Sequence, residues 1–228
     1  MAPSQWGDNS DDASHMTLTK FATILFAAIP ALAAEMPVPE LRTEPTAGGS
    51  VFFIKNNSAV ALNAYLIELV DYPGSSYSLW QDETVAEPIP PHGEKRIAVA
   101  NMTVGAVPDY VKLQAAVYAG GATAGVPDKV AQLLERRRFT VETIRQLMGR
   151  VEKAQAEGAA AAAMADSLKQ WADTMQPQGR ANRNTQAAIN QAAARAVIAG
   201  IAARLGTQSP AEALTVLRGW QRAMAPTP

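Results

Sequence analysis

Four carboxylates in the N-terminal half of the chain are the side chains best suited to chemistry: Glu68, Asp82, Glu83 and Glu94. Two carboxylates that flank a glycosidic bond can hydrolyse it, one as the acid and the other as a base or nucleophile. No motif in the sequence selects two of the four for this task. A carboxylate-dependent hydrolase is therefore an alternative function, and the leading interpretation is a non-catalytic protein.

Metal and nucleophile chemistry has few candidate residues in this sequence. The loop acids that could offer oxygen ligands to Ca²⁺ lack the close alternation of a calcium-binding loop; they are Asp71, Asp82, Glu83, Glu87 and Asp109. Cysteine is absent, and His92, in a proline-rich bend, is the only histidine after residue 15. A nucleophile–base pair or a histidine-rich metal site needs more such residues. The sequence predicts no catalytic residue, no metal site and no cofactor.

A glycine-rich segment at 120–125, Gly-Gly-Ala-Thr-Ala-Gly, has the composition of a phosphate-binding loop but not its motif. The Gly-Lys-Ser/Thr ending is missing, and the helix that follows begins with Pro127 and Asp128, whose carboxylate would repel phosphate. We interpret the segment as a structural corner.

The densest charge cluster is Arg136-Arg137-Arg138. Consecutive residues of a helix point in three directions, so they do not form one basic patch. Aromatic residues that would stack on nucleic-acid bases are missing apart from Phe139, and the sequence predicts no nucleic-acid partner. Arg137 falls on the apolar stripe of the helix, where we expect it to bury its stem and pair with a carboxylate of the β region. We expect Arg136 and Arg138 to be solvated.

These residues are positioned by a β region that changes into a helical region near residue 126. Val111 to Tyr118 alternates apolar and polar side chains, and from Pro127 the apolar period lengthens to about 3.5 residues, which indicates a strand followed by a helix. The sequence predicts an α+β fold, with a small antiparallel, immunoglobulin-like β-sandwich over 50–126 and a helical region over 127–228. The proline-rich stretch 34–49 is expected to be an extended tether.

The helical region is expected to hold helices near 127–157, 159–176, 184–205 and 210–224. The first carries a broad apolar stripe, and its members are Val130, Leu133, Leu134, Val141, Ile144, Leu147, Met148 and Val151. The second, with Met164, Leu168, Trp171 and Met175 on one face, is expected to fold back on the first. Ser209-Pro210-Ala211-Glu212 combines a capping box with proline at the first helical position, which predicts the start of the last helix.

The N-terminus has the pattern of a bacterial secretory signal peptide over residues 16–33. A basic segment ending at Lys20 precedes an apolar stretch from Phe21 to Ile29, and Ala31-Leu32-Ala33 supplies the small residues of a cleavage site. We expect cleavage near Ala33 and a periplasmic or secreted protein without an integral membrane segment. Residues 1–15 are interpreted as an upstream extension or an expression remnant.

Charge is distributed unevenly, although the net charge is only −1. Residues 35–126 hold 5 Lys/Arg and 10 Asp/Glu, a net of −5, whereas residues 127–228 hold 14 and 8, a net of +6. The pattern predicts two regions that attract each other or face different partners.

Three segments in order resemble secreted proteins of unknown function from acidobacterial genomes: 88–93, 115–125 and 133–138. The resemblance covers roughly residues 50–155 and implies a sandwich-like domain that ends in a strand, a corner and an arginine-rich helix. Where that family often has Asp-Gly this chain has Gly120-Gly121, which argues against a cation at the corner. The resemblance implies no known activity.

The sequence therefore leaves three functions open. The leading one is an exported, non-catalytic binding or scaffold module of the cell envelope. The alternatives are the carboxylate-dependent hydrolase and a module that binds a protein partner, or a second copy of itself, through the apolar stripe of its helical region. A cleft with two carboxylates would favour the hydrolase, and an exposed stripe would favour the partner-binding module.

Overall fold

β-Strands occupy the first part of the chain and α-helices the second, which confirms the α+β class. The computed structural model describes residues 36–71, 77–82, 87–100, 108–175 and 185–224. The strands are β1 (Glu40–Thr46), β2 (Gly49–Lys55), β3 (Leu62–Leu69), β4 (Ser78–Asp82), β5 (Glu94–Ala100), β6 (Val111–Tyr118) and β7 (Thr123–Gly125). The helices are α1 (Pro127–Ala156), α2 (Ala161–Thr174), α3 (Gln186–Arg204) and α4 (Pro210–Met224). The predicted signal peptide, 16–33, and residues 1–15 lie outside the described residues.

Two antiparallel sheets form the β region, with strand orders β1-β2-β5 and β4-β3-β6-β7. Side chains alternate across the four-stranded sheet, as the pleat of a strand requires. On its inner face, Tyr65 and Ile67 of β3 share an apolar cluster with Phe52 and Ile54 of β2 in the other sheet. The two sheets therefore share one core.

The four-stranded sheet is buried on its outer face as well, which is the face turned away from the three-stranded sheet. Ala64 and Leu66 of β3 lie there with Ala115 and Val117 of β6, all at most 3% exposed, and they pack with Leu133 of α1. Residues Glu35–Pro228 form one compact unit. The predicted boundary at residue 126 is thus a change of secondary structure within that unit.

The expected tether at 34–49 is wrong in its second half, because β1 pairs with β2 from Glu40↔Lys55 to Thr46↔Gly49. Proline is compatible with this strand since Pro45 lies on the edge of the sheet, where a missing N–H group is tolerated. The segment before β1 is held too: the Tyr118 hydroxyl of β6 donates to the Pro37 carbonyl. Burial raises the pKa of Tyr118 to about 12, so this hydroxyl stays a donor at neutral pH.

Helix α1 buries a stripe slightly different from the expected one. Leu134 is 39% exposed, and the buried positions continue from Leu133 through Arg137, Ile144 and Leu147 to Val151.

The helices also pack differently from the expected hairpin, in which α2 folds back directly on α1. α1 contacts α3 and α4 most extensively, and α2 contacts α3. Alanine-rich α3 allows two neighbours to approach closely, because helix separation depends on side-chain size at the contact.

The capping box at the start of α4 is confirmed. Glu212 Oε2 accepts hydrogen bonds from the Ser209 backbone N–H (2.7 Å) and hydroxyl (2.8 Å), and the Ser209 hydroxyl accepts from the Glu212 N–H. The bond from the Ser209 N–H is the main reason that the pKa of Glu212 is lowered.

None of the helices in the described part of the chain combines the length and apolarity that crossing a membrane requires.

A buried asparagine fixes the turn between β2 and β3. Asn56 is fully buried, and its Nδ2 donates to the carbonyls of Val60 (2.8 Å), Ile89 (3.1 Å) and Pro90 (3.0 Å). Its Oδ1 accepts from the Ser58 N–H (3.0 Å) and hydroxyl (2.8 Å). One side chain thus joins this turn to the proline-rich bend.

Replacing Asn56 with alanine should lower the free energy of unfolding by about 2 kcal/mol, because buried carbonyl groups lose their donor. Asn57→Ala, at the exposed neighbouring position, is the matched control and should change stability little. Urea unfolding of both variants measures the effect. Equal stabilities would show that the network contributes nothing.

Candidate functional site

Helix α1 is fixed on the outer face of the four-stranded sheet by two ion pairs on either side of Leu133. Lys129 Nζ lies 2.7 Å from Glu68 Oε2, and Arg137 Nη1 lies 3.0 Å from Asp82 Oδ2. Glu68 is on β3 and Asp82 is on β4. Both carboxylates are largely buried, with side chains 16% and 12% exposed, and buried charges require partners.

The spacing of the two ion pairs matches the geometry of a helix lying along a strand. Lys129 and Arg137 are eight residues apart on α1, or about 12 Å along its axis. Asp82 is opposite Ala64 in the β3–β4 register, four residues from Glu68 and thus about 13 Å along the strand. Acidic side chains on the sheet and basic side chains on the helix therefore meet at both ends of the same contact.

Arg137 has the environment expected for it: its side chain is 8% exposed and is paired with a carboxylate of the β region. Its contribution to stability stays a prediction. The expectation for Arg136 is wrong, because that side chain is partly buried, with its guanidinium carbon 5.9 Å from the centre of the Trp80 ring. Burial lowers the pKa of Arg136, the Asp82 carboxylate opposes that change and the charge of Arg137 adds to it. Arg138 is exposed, as expected.

The acids proposed for hydrolysis are not brought together as a free pair. Glu68 and Asp82 are held in the ion pairs with α1, and Glu94 lies on β5 in the other sheet. Glu83 lies outside the described residues. Among the residues that the structure describes, no group of three His, Cys, Asp or Glu side chains is arranged to hold a metal ion.

The glycine-rich corner has a structural cause in its backbone. Gly120, Gly121 and Gly125 adopt positive φ angles of 80°, 86° and 113°. A β-carbon on Gly125 would also lie 2.3 Å from the Gln114 carbonyl oxygen, so this position requires glycine. His92 likewise adopts a positive φ of 58° in an exposed turn, where its carbonyl accepts from Lys55.

Beside the Glu68–Lys129 pair lies an open groove of about 480 Å³ between the sheet and the helices. Strands β3, β4 and β6 contribute Glu68, Trp80 and Gln114 to its lining, and α1 and α3 contribute Lys129, Gln132 and Gln186. Its volume is within the range of about 300 to 1,000 Å³ usual for small-molecule sites. The groove is the best candidate for a binding site in the described part of the chain.

Hydrogen bonds hold the helical wall of the groove in place. The Thr185 hydroxyl caps α3 by accepting from the Ala188 N–H at 3.2 Å. Gln186 Nε2 then donates to Asn190 Oδ1 (2.8 Å) and to the Gln132 carbonyl (3.3 Å). Asn190, itself 4% exposed, donates to Glu135 of α1 at 3.2 Å. The start of α3 is therefore joined to α1 through side-chain amides.

The amides of the groove are functional candidates that the sequence did not reveal. Glutamines 114, 132 and 186 have no motif in common and come from three separate elements. A weak signal was available at Gln114, a polar residue in the apolar strand β6, and at Gln132, which directly precedes the buried Leu133.

The apolar stripe of α1 is occupied within the chain. Ile144, Leu147 and Val151, each at most 1% exposed, belong to one core with residues of α2, α3 and α4. Of the stripe expected from the sequence, Leu134 is exposed. The described helices therefore leave little of this stripe for another protein.

Comparison with known proteins adds no assignment, because no protein-family model, curated protein or solved structure matches this chain. The resemblance to acidobacterial secreted proteins stays a prediction.

Proposed function

We propose that this protein is an exported, non-catalytic binding module of the cell envelope, which holds its ligand in the groove between the four-stranded sheet and helices α1 and α3. The observation that carries the proposal is that the two carboxylates near the groove are engaged in ion pairs. Glu68 and Asp82 attach α1 to the sheet through Lys129 and Arg137. The other described lining residues are uncharged and include three side-chain amides and an indole, which are groups for recognition.

The two alternatives have less support from the described residues. A carboxylate-dependent hydrolase would need an acid that is free to exchange a proton, and both acids near the groove are engaged with cations of α1. A partner-binding role for α1 would need its apolar stripe at the surface, and that stripe packs on α3 and α4.

We also propose an immunoglobulin-like arrangement for the β region. If the seven described strands are lettered A, B, C, C′, E, F and G in chain order, the first sheet, β1-β2-β5, becomes A-B-E. The second sheet, β4-β3-β6-β7, becomes C′-C-F-G. Those are the strand neighbours of an immunoglobulin domain without strand D. Folds of this kind have many unrelated functions, so this arrangement would describe only the scaffold. The proposed function is inferred from the groove.

Export is supported by the signal-peptide pattern of residues 16–33. We expect the exported form to begin near Ala34, because signal peptidase would cleave after the small residue Ala33. The intact mass of the protein recovered from the periplasm or medium measures this directly. Periplasmic protein that still carries residues 16–33 would refute the cleavage.

The binding function is tested by a ligand screen that makes no assumption about ligand class. Neutral oligosaccharides, short peptides and anionic metabolites are added separately to the exported form, and a ligand that binds the folded protein raises its unfolding temperature. We expect one class to do so and to be recovered chemically unchanged. A protein that none of them stabilises, or a ligand cleaved in a reaction that Glu68→Gln abolishes, would contradict the proposal.

A further inference from the structure

We infer that the groove takes a neutral, hydroxyl-rich ligand, a short segment of an oligosaccharide, held between Gln114 of the sheet and Gln132 and Gln186 of the helices. The inference rests on the proposed function and names the ligand class for the same site.

The first reason is the charge of the groove. Among the described residues of its lining, the charged ones are Glu68 and Lys129, which neutralise each other at 2.7 Å. A phosphate or carboxylate ligand would need a cation to spare in the lining, and Lys129, the cation among the described lining residues, is already paired. A cationic ligand would compete with Lys129 for Glu68. The lining therefore favours a ligand without net charge.

The second reason is the hydrogen-bonding capacity of the lining. The side-chain amides of Gln114 and Gln132 make no hydrogen bond to another described residue, although both are partly buried. Each amide offers two N–H donors and a carbonyl oxygen that can accept twice. A hydroxyl group both donates and accepts, so a row of hydroxyls can satisfy an amide in both directions.

The third reason is the position of an aromatic side chain beside these amides. Trp80 is partly buried, and its Nε1 donates to the Ser78 hydroxyl at 3.2 Å, so the indole is held in place. It adds to the apolar part of the lining, which also includes Leu69, Val70 and Ile189. Sugar rings need this combination, because they carry hydroxyls at their edges and C–H groups on their faces.

The fourth reason is that the polar groups converge from different elements on an open groove. Gln114 is on β6, Gln132 on α1 and Gln186 on α3, and Gln186 is fixed by its bonds to Asn190 and the Gln132 carbonyl. Because the Gln186 amide is already held in place, it binds a ligand with less loss of conformational entropy. The open groove also lets a longer saccharide continue into solvent.

The inference is tested by titrating the full-length protein with cellotetraose, chitotetraose, maltotetraose and mannotetraose, and in parallel with alanine-rich peptides and with glucose 6-phosphate. Calorimetry gives Kd. We expect at least one neutral tetrasaccharide to bind, with an affinity that changes little between low and high salt, because a neutral ligand is not screened.

The variants assign the binding to the groove. The double variant Gln114→Ala/Gln132→Ala should weaken binding about tenfold or more, since two amides lose their hydrogen bonds. Gln146→Ala, an exposed glutamine on α1 outside the groove, is the matched control and should bind as the native protein does. Unfolding temperatures of all variants show that the fold is intact.

The other outcomes separate the inference from the proposed function. Peptide or glucose 6-phosphate binding that is lost in the double variant would overturn the saccharide and keep the groove as the site. Saccharide binding that the double variant retains would overturn the placement in the groove. If no probe of any class binds, both the inference and the proposed function fail.

Discussion

Replacing Arg137 with alanine is expected to lower the free energy of unfolding by about 3 kcal/mol. The Arg137 side chain is 8% exposed and its partner Asp82 is 12% exposed, so the substitution leaves a largely buried carboxylate without this cation. Breaking such a pair from one side costs about 3 to 5 kcal/mol. The aliphatic stem of Arg137 also loses its packing under α1. Urea unfolding followed by circular dichroism measures the loss.

The neighbouring arginine provides the control for this prediction. Arg138 is exposed, and Arg138→Ala should change the free energy of unfolding by no more than about 0.5 kcal/mol. If the two substitutions had the same small effect, the Arg137 side chain would be contributing only as a solvated charge.

Ending the chain after Glu157 is expected to give a protein that aggregates or dimerises. The C-terminal half of α1 shares its core with α2, α3 and α4, and the truncation would expose Ile144, Leu147 and Val151. At about 1.5 to 3 kcal/mol for each side chain, leaving these three in water costs on the order of 5 kcal/mol. Size-exclusion chromatography with light scattering gives the oligomeric state, and a hydrophobic dye reports the exposed surface.

A chain that ends after Met224 is the control for the truncation. It keeps all four described helices, and we expect it to elute as the full-length protein does and to bind no additional dye. If the chain ending at Glu157 behaved in the same way, the helices after α1 would be an independent appendage, and the shared core would contribute no stability.

Local signals in the sequence predict the elements of this fold well. The change from strand to helix between Tyr118 and Pro127 follows from a change of apolar period, and α1 begins at Pro127 as expected. The start of α4 at Pro210 is specified by the box formed by Ser209 and Glu212. These features depend on residues close together in the chain, which is why a single sequence reveals them.

Features that depend on distant residues were harder to predict. β1 is a strand because β2 offers it a partner, and Pro45 within it, with Pro37 and Pro39 before it, concealed this. The partners of α1 and α2 are decided by the small side chains of α3, and the apolar pattern of each helix alone cannot choose among neighbours. Of the two leucines predicted for the stripe, Leu133 is buried and Leu134 is exposed, because the phase of a broad stripe depends on the surface against which it packs.

The contacts of the candidate site were also hard to predict, because they join residues that are distant in the chain. The sequence predicts that Arg137 meets an acid of the β region, but Asp82 is brought beneath α1 only by the register of β4 on β3. The sequence predicts Arg136 in solvent because nothing in it places Trp80 beside that arginine. In the sequence, the glutamines of the groove look like ordinary surface residues, because only the packing of three elements brings them together.

Whether acidic side chains of the four-stranded sheet serve to hold α1 is decided by a double-mutant cycle on Asp82 and Arg137. The measurement is the free energy of unfolding of Asp82→Ala, Arg137→Ala and the double variant. We predict a coupling energy of about 2 kcal/mol, with the double variant more stable than the sum of the two single effects implies. Purely additive effects, with no coupling, would contradict the claim and leave Asp82 free for another role.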